Sequence, residues 1–78
     1  MAAITVKALD EVTFEVTVVD RSTTTHMVTV QPTYADKLTG GRVPVVRLVE
    51  LSFEFLLERE SNTSILRRFD LPLIATYF

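Results

Sequence analysis

The chain contains no cysteine and no tryptophan, and only two glycines, three prolines and one histidine among its 78 residues. Without cysteine there is neither a disulfide framework nor a thiolate metal site, so a fold this short must be held by packing alone. One histidine, His26, does not make a metal site unless the fold brings carboxylates to it. The two glycines are adjacent, Gly40-Gly41, and lack the G-x-x-x-x-G-K-[ST] spacing of a phosphate-binding loop. They read instead as a helix end and a hinge. Positive charge is also scarce: eight Lys and Arg stand against ten Asp and Glu, for a net charge of -2. Duplex binding normally begins with a basic surface, and Arg67-Arg68 is the one adjacent basic pair. Nucleic acid is therefore not an expected partner. No apolar run approaches the ~20 residues that span a bilayer, and MAAITVKALDE shows no basic region leading into an apolar one. These absences predict a cytoplasmic protein with no membrane, metal or cofactor partner.

What remains is ordinary for a folded protein: 47% hydrophobic and 23% charged residues, in the range of a globular chain and outside that of a disordered one. The length predicts a single domain over 1–78, with no internal repeat and no linker. The stretch Val43–Glu60, VPVVRLVELSFEFLLERE, is the longest apolar-periodic run and predicts the main helix. Pro44 suits a first helical turn, where a missing N–H costs nothing. Stepping about 100° per residue places Arg47, Glu50, Glu54 and Glu58 on one narrow stripe. Apolar residues fill the other ~240° of the helix by the same stepping. A helix lying on one side of a core needs an apolar arc of only ~100° or a little more, so this one must be covered on two or three sides.

Upstream, Ala3–Leu9 alternates and predicts a short strand. Asp10-Glu11 reads as a tight turn. Val12–Val19 is the clearest strand, with Val12, Phe14, Val16 and Val18 on one face and Thr13, Glu15 and Thr17 on the other. Asp20–Thr23 reads as a second turn. Thr24–Gln31 resumes strand character, with His26, Val28 and Val30 sharing a face. Strands in sequence with short connections pair antiparallel, which predicts a two- or three-stranded meander. Pro32 ends it, and Thr33–Thr39 predicts a short helix closed by Gly40. Downstream of the main helix, Thr63-Ser64 suit a cap for a short turn over Ile65–Phe69, and Asp70 with Pro72 leads into a short C-terminal helix over Leu73–Phe78. The fold class is therefore α+β: an antiparallel meander, a short helix, one long helix and a short C-terminal helix, packed on one face of the sheet. The apolar tail is expected to fold back over the outer face of the main helix, or over a partner's.

The segment LVELSFEFLLERESNTSILRRFDLPLIATYF, carried by Phe53, Phe55, Leu56, Leu57, Glu58, Arg59, Glu60, Ser64-Ile65-Leu66, Phe69, Ile74 and Tyr77-Phe78, resembles the C-terminal half of a group of small uncharacterised bacterial proteins. The resemblance covers roughly half the chain, implies a bacterial and cytoplasmic origin, and brings no activity and no functional residue.

Candidate chemistry is thin. His26 lies on a strand beside Val28 and Val30, where a histidine is ordinarily a satisfied or rim residue. Ser22 to Thr25 adjoin it, but neighbouring strand side chains point to opposite faces, and no oxyanion-hole motif accompanies them. No catalytic residue is assigned, and the chain is not read as an enzyme. Asn62-Thr63-Ser64 matches a glycosylation pattern that, with no secretory leader expected, reads as chance. Tyr34, Asp36 and Lys37 would line any small-molecule site between the short helix and the sheet. The reading that the residues favour is an interaction module acting through self-association, as a homodimer, or through a protein partner. Its candidate interface is Leu51, Phe55, Phe69, Ile74, Tyr77 and Phe78. The alternatives are a small regulatory or antitoxin-like protein associated with nucleic acid, which needs Arg42, Arg67 and Arg68 to converge, and a small-molecule-binding domain.

Overall fold

The computed structural model describes residues 2–76, with the backbone alone for residues 74–76. It builds an α+β fold in the order β1 (Ala3–Ala8), β2 (Thr13–Val19), β3 (Thr23–Thr29), α1 (Pro32–Thr39), α2 (Val45–Leu57), a short 3₁₀ turn (Asn62–Ser64), β4 (Arg68–Asp70) and a 3₁₀ helix (Leu71–Thr76). The sheet has four strands in the order β1-β2-β3-β4. The first three pair antiparallel with Val6 opposite Val16 and Val16 opposite His26. The fourth is parallel to β3, with Val28 opposite Phe69.

Strand alternation does most of the sorting. Phe14, Val16 and Val18 of β2 and Thr24, His26 and Val28 of β3 are buried on one face, with Ile4 and Val6 of β1 half-buried beside them. The opposite face is polar and carries cross-strand rows: Thr5, Thr17 and Thr25 form one, Lys7, Glu15, Met27 and Arg68 another. The first turn is closed by a side chain: Asp10 Oδ1 accepts the N–H of Val12 at 2.8 Å and of Thr13 at 2.7 Å. A carboxylate that caps backbone N–H groups in this way replaces the glycine such a turn often needs.

Two helices fill the connection from β3 to β4, as a parallel pairing requires. Pro32 opens α1, and Gly40 ends it in the left-handed conformation, φ 65°, its N–H bonded to Asp36 O at 2.7 Å. Helix α2 buries Val49, Phe53 and Leu56, an i, i+4, i+7 stripe laid on the sheet. Phe53 is the largest fully buried side chain, with ring centroids 5.2 Å from His26 and 6.0 Å from Phe69.

Several expectations are corrected. The sheet is mixed, not a simple antiparallel meander, because Arg68–Asp70 adds a parallel edge strand. With three residues and one inward side chain, Phe69, that strand has no period to read. The segment Ile65–Phe69 is not helical: the 3₁₀ turn falls earlier, on Asn62–Ser64, and Phe69 is in the strand. The C-terminal helix is a 3₁₀ helix over Leu71–Thr76; Tyr77 and Phe78 lie outside the described residues. Pro44 stands at the N-cap of α2 with φ -57°, ψ 146°, one step before the helical turn expected to hold it. The main helix is correspondingly shorter than Val43–Glu60.

Candidate functional site

Three places deserve description: the outer flank of α2, the end of α2 where the tail begins, and the polar group around His26. On α2, Leu51 is 40% exposed and Val46 38% exposed, while Phe55 is half-buried. By helical stepping, Leu48, Leu51 and Phe55 lie side by side. Leu48 packs against the core. Arg59 lies over the Phe55 ring, with its guanidinium carbon 3.9 Å from the centroid. The polar stripe runs beside them, with Arg47 paired to Glu50. The sequence-derived interface is thus divided. Leu51 is exposed on the flank of α2, with Phe55 half-buried one turn further on. Phe69, by contrast, is 8% exposed and part of the core, because the parallel pairing of β4 turns it inward toward Phe53. The side chain of Ile74 and the whole of Tyr77 and Phe78 lie outside the described structure.

Of the tail expected to fold back over α2, the side chains are described only as far as Leu73, and the remainder of that expectation lies outside the described residues. Leu71 is buried and Leu73 partly exposed. Leu73 joins Leu56, Ile65, Leu66 and Phe69 around a cavity of about 90 Å³ at the C-terminal end of α2. Ligand sites for drug-sized molecules run to roughly 300–1,000 Å³, so this opening suits a single side chain. None of Tyr34, Asp36 and Lys37 lines it. Tyr34 packs against the core, while Asp36 and Lys37 are exposed.

The polar group is built from β3 and the loop after α2. His26 is fully buried. Its Nε2 is 2.8 Å from Thr24 Oγ1, and its Nδ1 is 2.7 Å from Leu66 O. Asn62 Nδ2 donates to Ser22 O at 2.8 Å, to Thr24 Oγ1 at 3.0 Å and, more weakly, to Val18 O at 3.4 Å. Burial holds the His26 imidazole below its ordinary protonation range; the Leu66 carbonyl works against this and the Arg67 charge adds to it. The ring exposes no edge to a reactant and is a satisfied core histidine. Asn62, seen in the sequence only as part of a glycosylation pattern, is 3% exposed with its amide nitrogen committed to these acceptors. Its one sequence signal is the break in helical periodicity at Ser61-Asn62, which marks a loop and says nothing of burial.

The basic residues do not converge into a visible patch. Arg42 lies in the α1–α2 connection, and Arg67 and Arg68 are exposed at the entry to β4. Alternation sends the adjacent pair to opposite sides, with Arg68 on the open sheet face in a row with Glu15. Among the described residues no group of three His, Cys, Asp or Glu is placed to hold a metal ion, and no helix is long and apolar enough to cross a membrane. No family model matches the chain, and no curated protein and no solved structure matches it.

Proposed function

We propose that the protein is a small interaction module that associates with a second copy of itself through the outer flank of α2. The observation that supports this is Leu51, 40% exposed in the middle of the helix, with Phe55 one turn further on. The charge order along α2 favours a second copy as the occupant. Arg47 stands near the helix start and Glu54 and Glu58 near its end. Two such helices crossing antiparallel about Leu51 bring the Arg47 of each toward the carboxylates of the other, while Leu51 meets Leu51. This is the self-complementary arrangement that a two-fold axis requires, and exposed charge pairs of this kind set orientation more than affinity.

The test is solution mass by light scattering behind a sizing column, over a range of concentrations, for the native chain and for Leu51→Glu. The expected result is a dimer that becomes a folded monomer on substitution, because two carboxylates then face each other at the axis. A native monomer at all concentrations, or a dimer that Leu51→Glu leaves intact, overturns the interface.

A further inference from the structure

The hydrogen bonds around His26 are matched to the neutral ring. Asn62 Nδ2 points at Thr24 Oγ1, 3.0 Å away, and an amide nitrogen only donates. The hydroxyl proton of Thr24 is therefore the one shared with His26 Nε2 at 2.8 Å, and Nε2 accepts. The ring's single proton sits on Nδ1 and donates to Leu66 O at 2.7 Å. A second ring proton would set Nε2–H against the same hydroxyl oxygen. Thr24 would then receive two donors and have to turn its own proton away, into surroundings where its residue is 3% exposed.

Among the described residues no carboxylate acts on the ring to relieve this. On β3 the same face carries Thr24 and Val28, and on β2 it carries Phe14, Val16 and Val18, while Glu15 points to the other side. Helix α2 presents Phe53, its Arg47, Glu50 and Glu54 lying on the outward arc. On β4, Phe69 faces inward, and Arg68 and Asp70 face away. The remaining neighbour, Arg67, opposes a second positive charge.

Beside Phe53 of α2, the Leu66 carbonyl that takes the Nδ1 proton and the Asn62 amide that holds Thr24 come from one segment, 61–70, far along the chain from β3. Its hydrogen-bonded ties to the sheet are Asn62 to Ser22 O, Thr24 Oγ1 and Val18 O, Leu66 O to the ring, Arg67 O to the N–H of Met27 at 2.7 Å, and three residues of parallel pairing. Short, weakly laddered edge segments are the parts of a fold that open first.

We propose that His26 is a proton-operated latch: with one ring proton it fastens the 61–70 segment to β3, and a second ring proton releases that segment while β1 and β2 stay paired. Release uncovers Ile65 and Phe69. The latch does not depend on the dimer interface, and either stands if the other fails.

The direction follows from linkage. In the open form the ring is solvated and titrates near its ordinary value of 6.5. In the closed form it binds a proton less readily. The ratio of open to closed is therefore constant above about pH 6.5 and rises about tenfold per pH unit below it, levelling off once the closed form also protonates.

The experiment is a series of two-dimensional ¹H–¹⁵N spectra of the native chain from pH 8 to pH 4.5, including the long-range correlations of the imidazole nitrogens. The expected result at pH 7 is a neutral ring protonated at Nδ1. On acidification, the amides of Met27 and of 62–70 should shift or broaden together in a one-proton transition below pH 6.5, while those of Ile4 and Val6 on β1, one strand removed from the ring, hold. His26→Gln should abolish the transition if it folds, and the native ring spectra decide the matter if it does not. A ring protonated at Nε2, a ring that titrates at 6.5 with the 62–70 amides unmoved, or a transition in which Ile4 and Val6 move with the rest overturns the latch.

Discussion

Asp10 shows how much one side chain can settle in a chain with two glycines. Its carboxylate takes both N–H groups of the first turn, from Val12 and Thr13, and those two bonds hold its protonation below the ordinary carboxylate value of 3.8. A carboxylate whose folded-state pKa is depressed contributes stability that is present above the unfolded value and is lost as pH falls through the folded one. Asp10→Ala should therefore lower the denaturation midpoint at pH 7, and the gap to the native chain should close on acidification below about pH 4. A gap of constant size from pH 7 to pH 2.5 would show that the charge on Asp10 is irrelevant to the turn. This turn was legible at Asp10-Glu11 because Asp is a turn residue with a mechanism. The inward face of His26 was legible too, since alternation from Val28 and Val30 fixes it. Asn62 was not, because its burial depends on Ser22 and Thr24, forty and thirty-eight positions away.

At the scale of elements, local signals worked where a period or a cap had room to repeat. Seven residues of β2 alternate cleanly, and Gly40 marks the end of α1 as its composition implied. Gly40 also carries a prediction. Its φ of 65° is unfavourable for any residue with a Cβ, although nothing lies within 4 Å of where that atom would be. Gly40→Ala should therefore cost about 1–2 kcal/mol from backbone conformation alone, read as a lower thermal midpoint with an unchanged fold. A neutral effect would mean that the α1–α2 connection relaxes into another conformation at no cost. Strand β4 is the opposite case. Arg68–Asp70 sits in a stretch whose Thr63-Ser64 and Asp70-Pro72 suggest helix starts, and its strand conformation is imposed by pairing with β3. Tertiary pairing overrides local preference most easily in short elements. The same pairing turns Phe69 toward Phe53 and into the core, a placement that a helical turn over Ile65–Phe69 gives no reason to expect.

For the whole molecule the question is what a 78-residue chain with an accessible surface of 5069 Å² does with a helix that leaves Leu51 40% exposed at its middle. Val49, Phe53 and Leu56 use the inward arc, Leu48 and Leu57 pack at its margins, and Leu51 is left in the open. A standard interface takes about 800 Å² from each partner, roughly a sixth of this surface, which is more than one leucine and one phenylalanine supply. Neighbouring polar side chains of α2 would have to complete it, and the joint would be mixed in character and moderate in strength. Folding and association are then linked by mass action: a tenfold rise in concentration stabilises a dimer against two unfolded chains by about 1.4 kcal/mol. For a unit of twice this length that amounts to roughly 3–6 °C in the thermal midpoint. The midpoint of the native chain should climb by that amount per decade of concentration at pH 7, and the midpoint of Leu51→Glu should not move. A midpoint independent of concentration in both chains would mean that the fold meets its stability requirement as a monomer, and the exposure of Leu51 would then need a different partner to account for it.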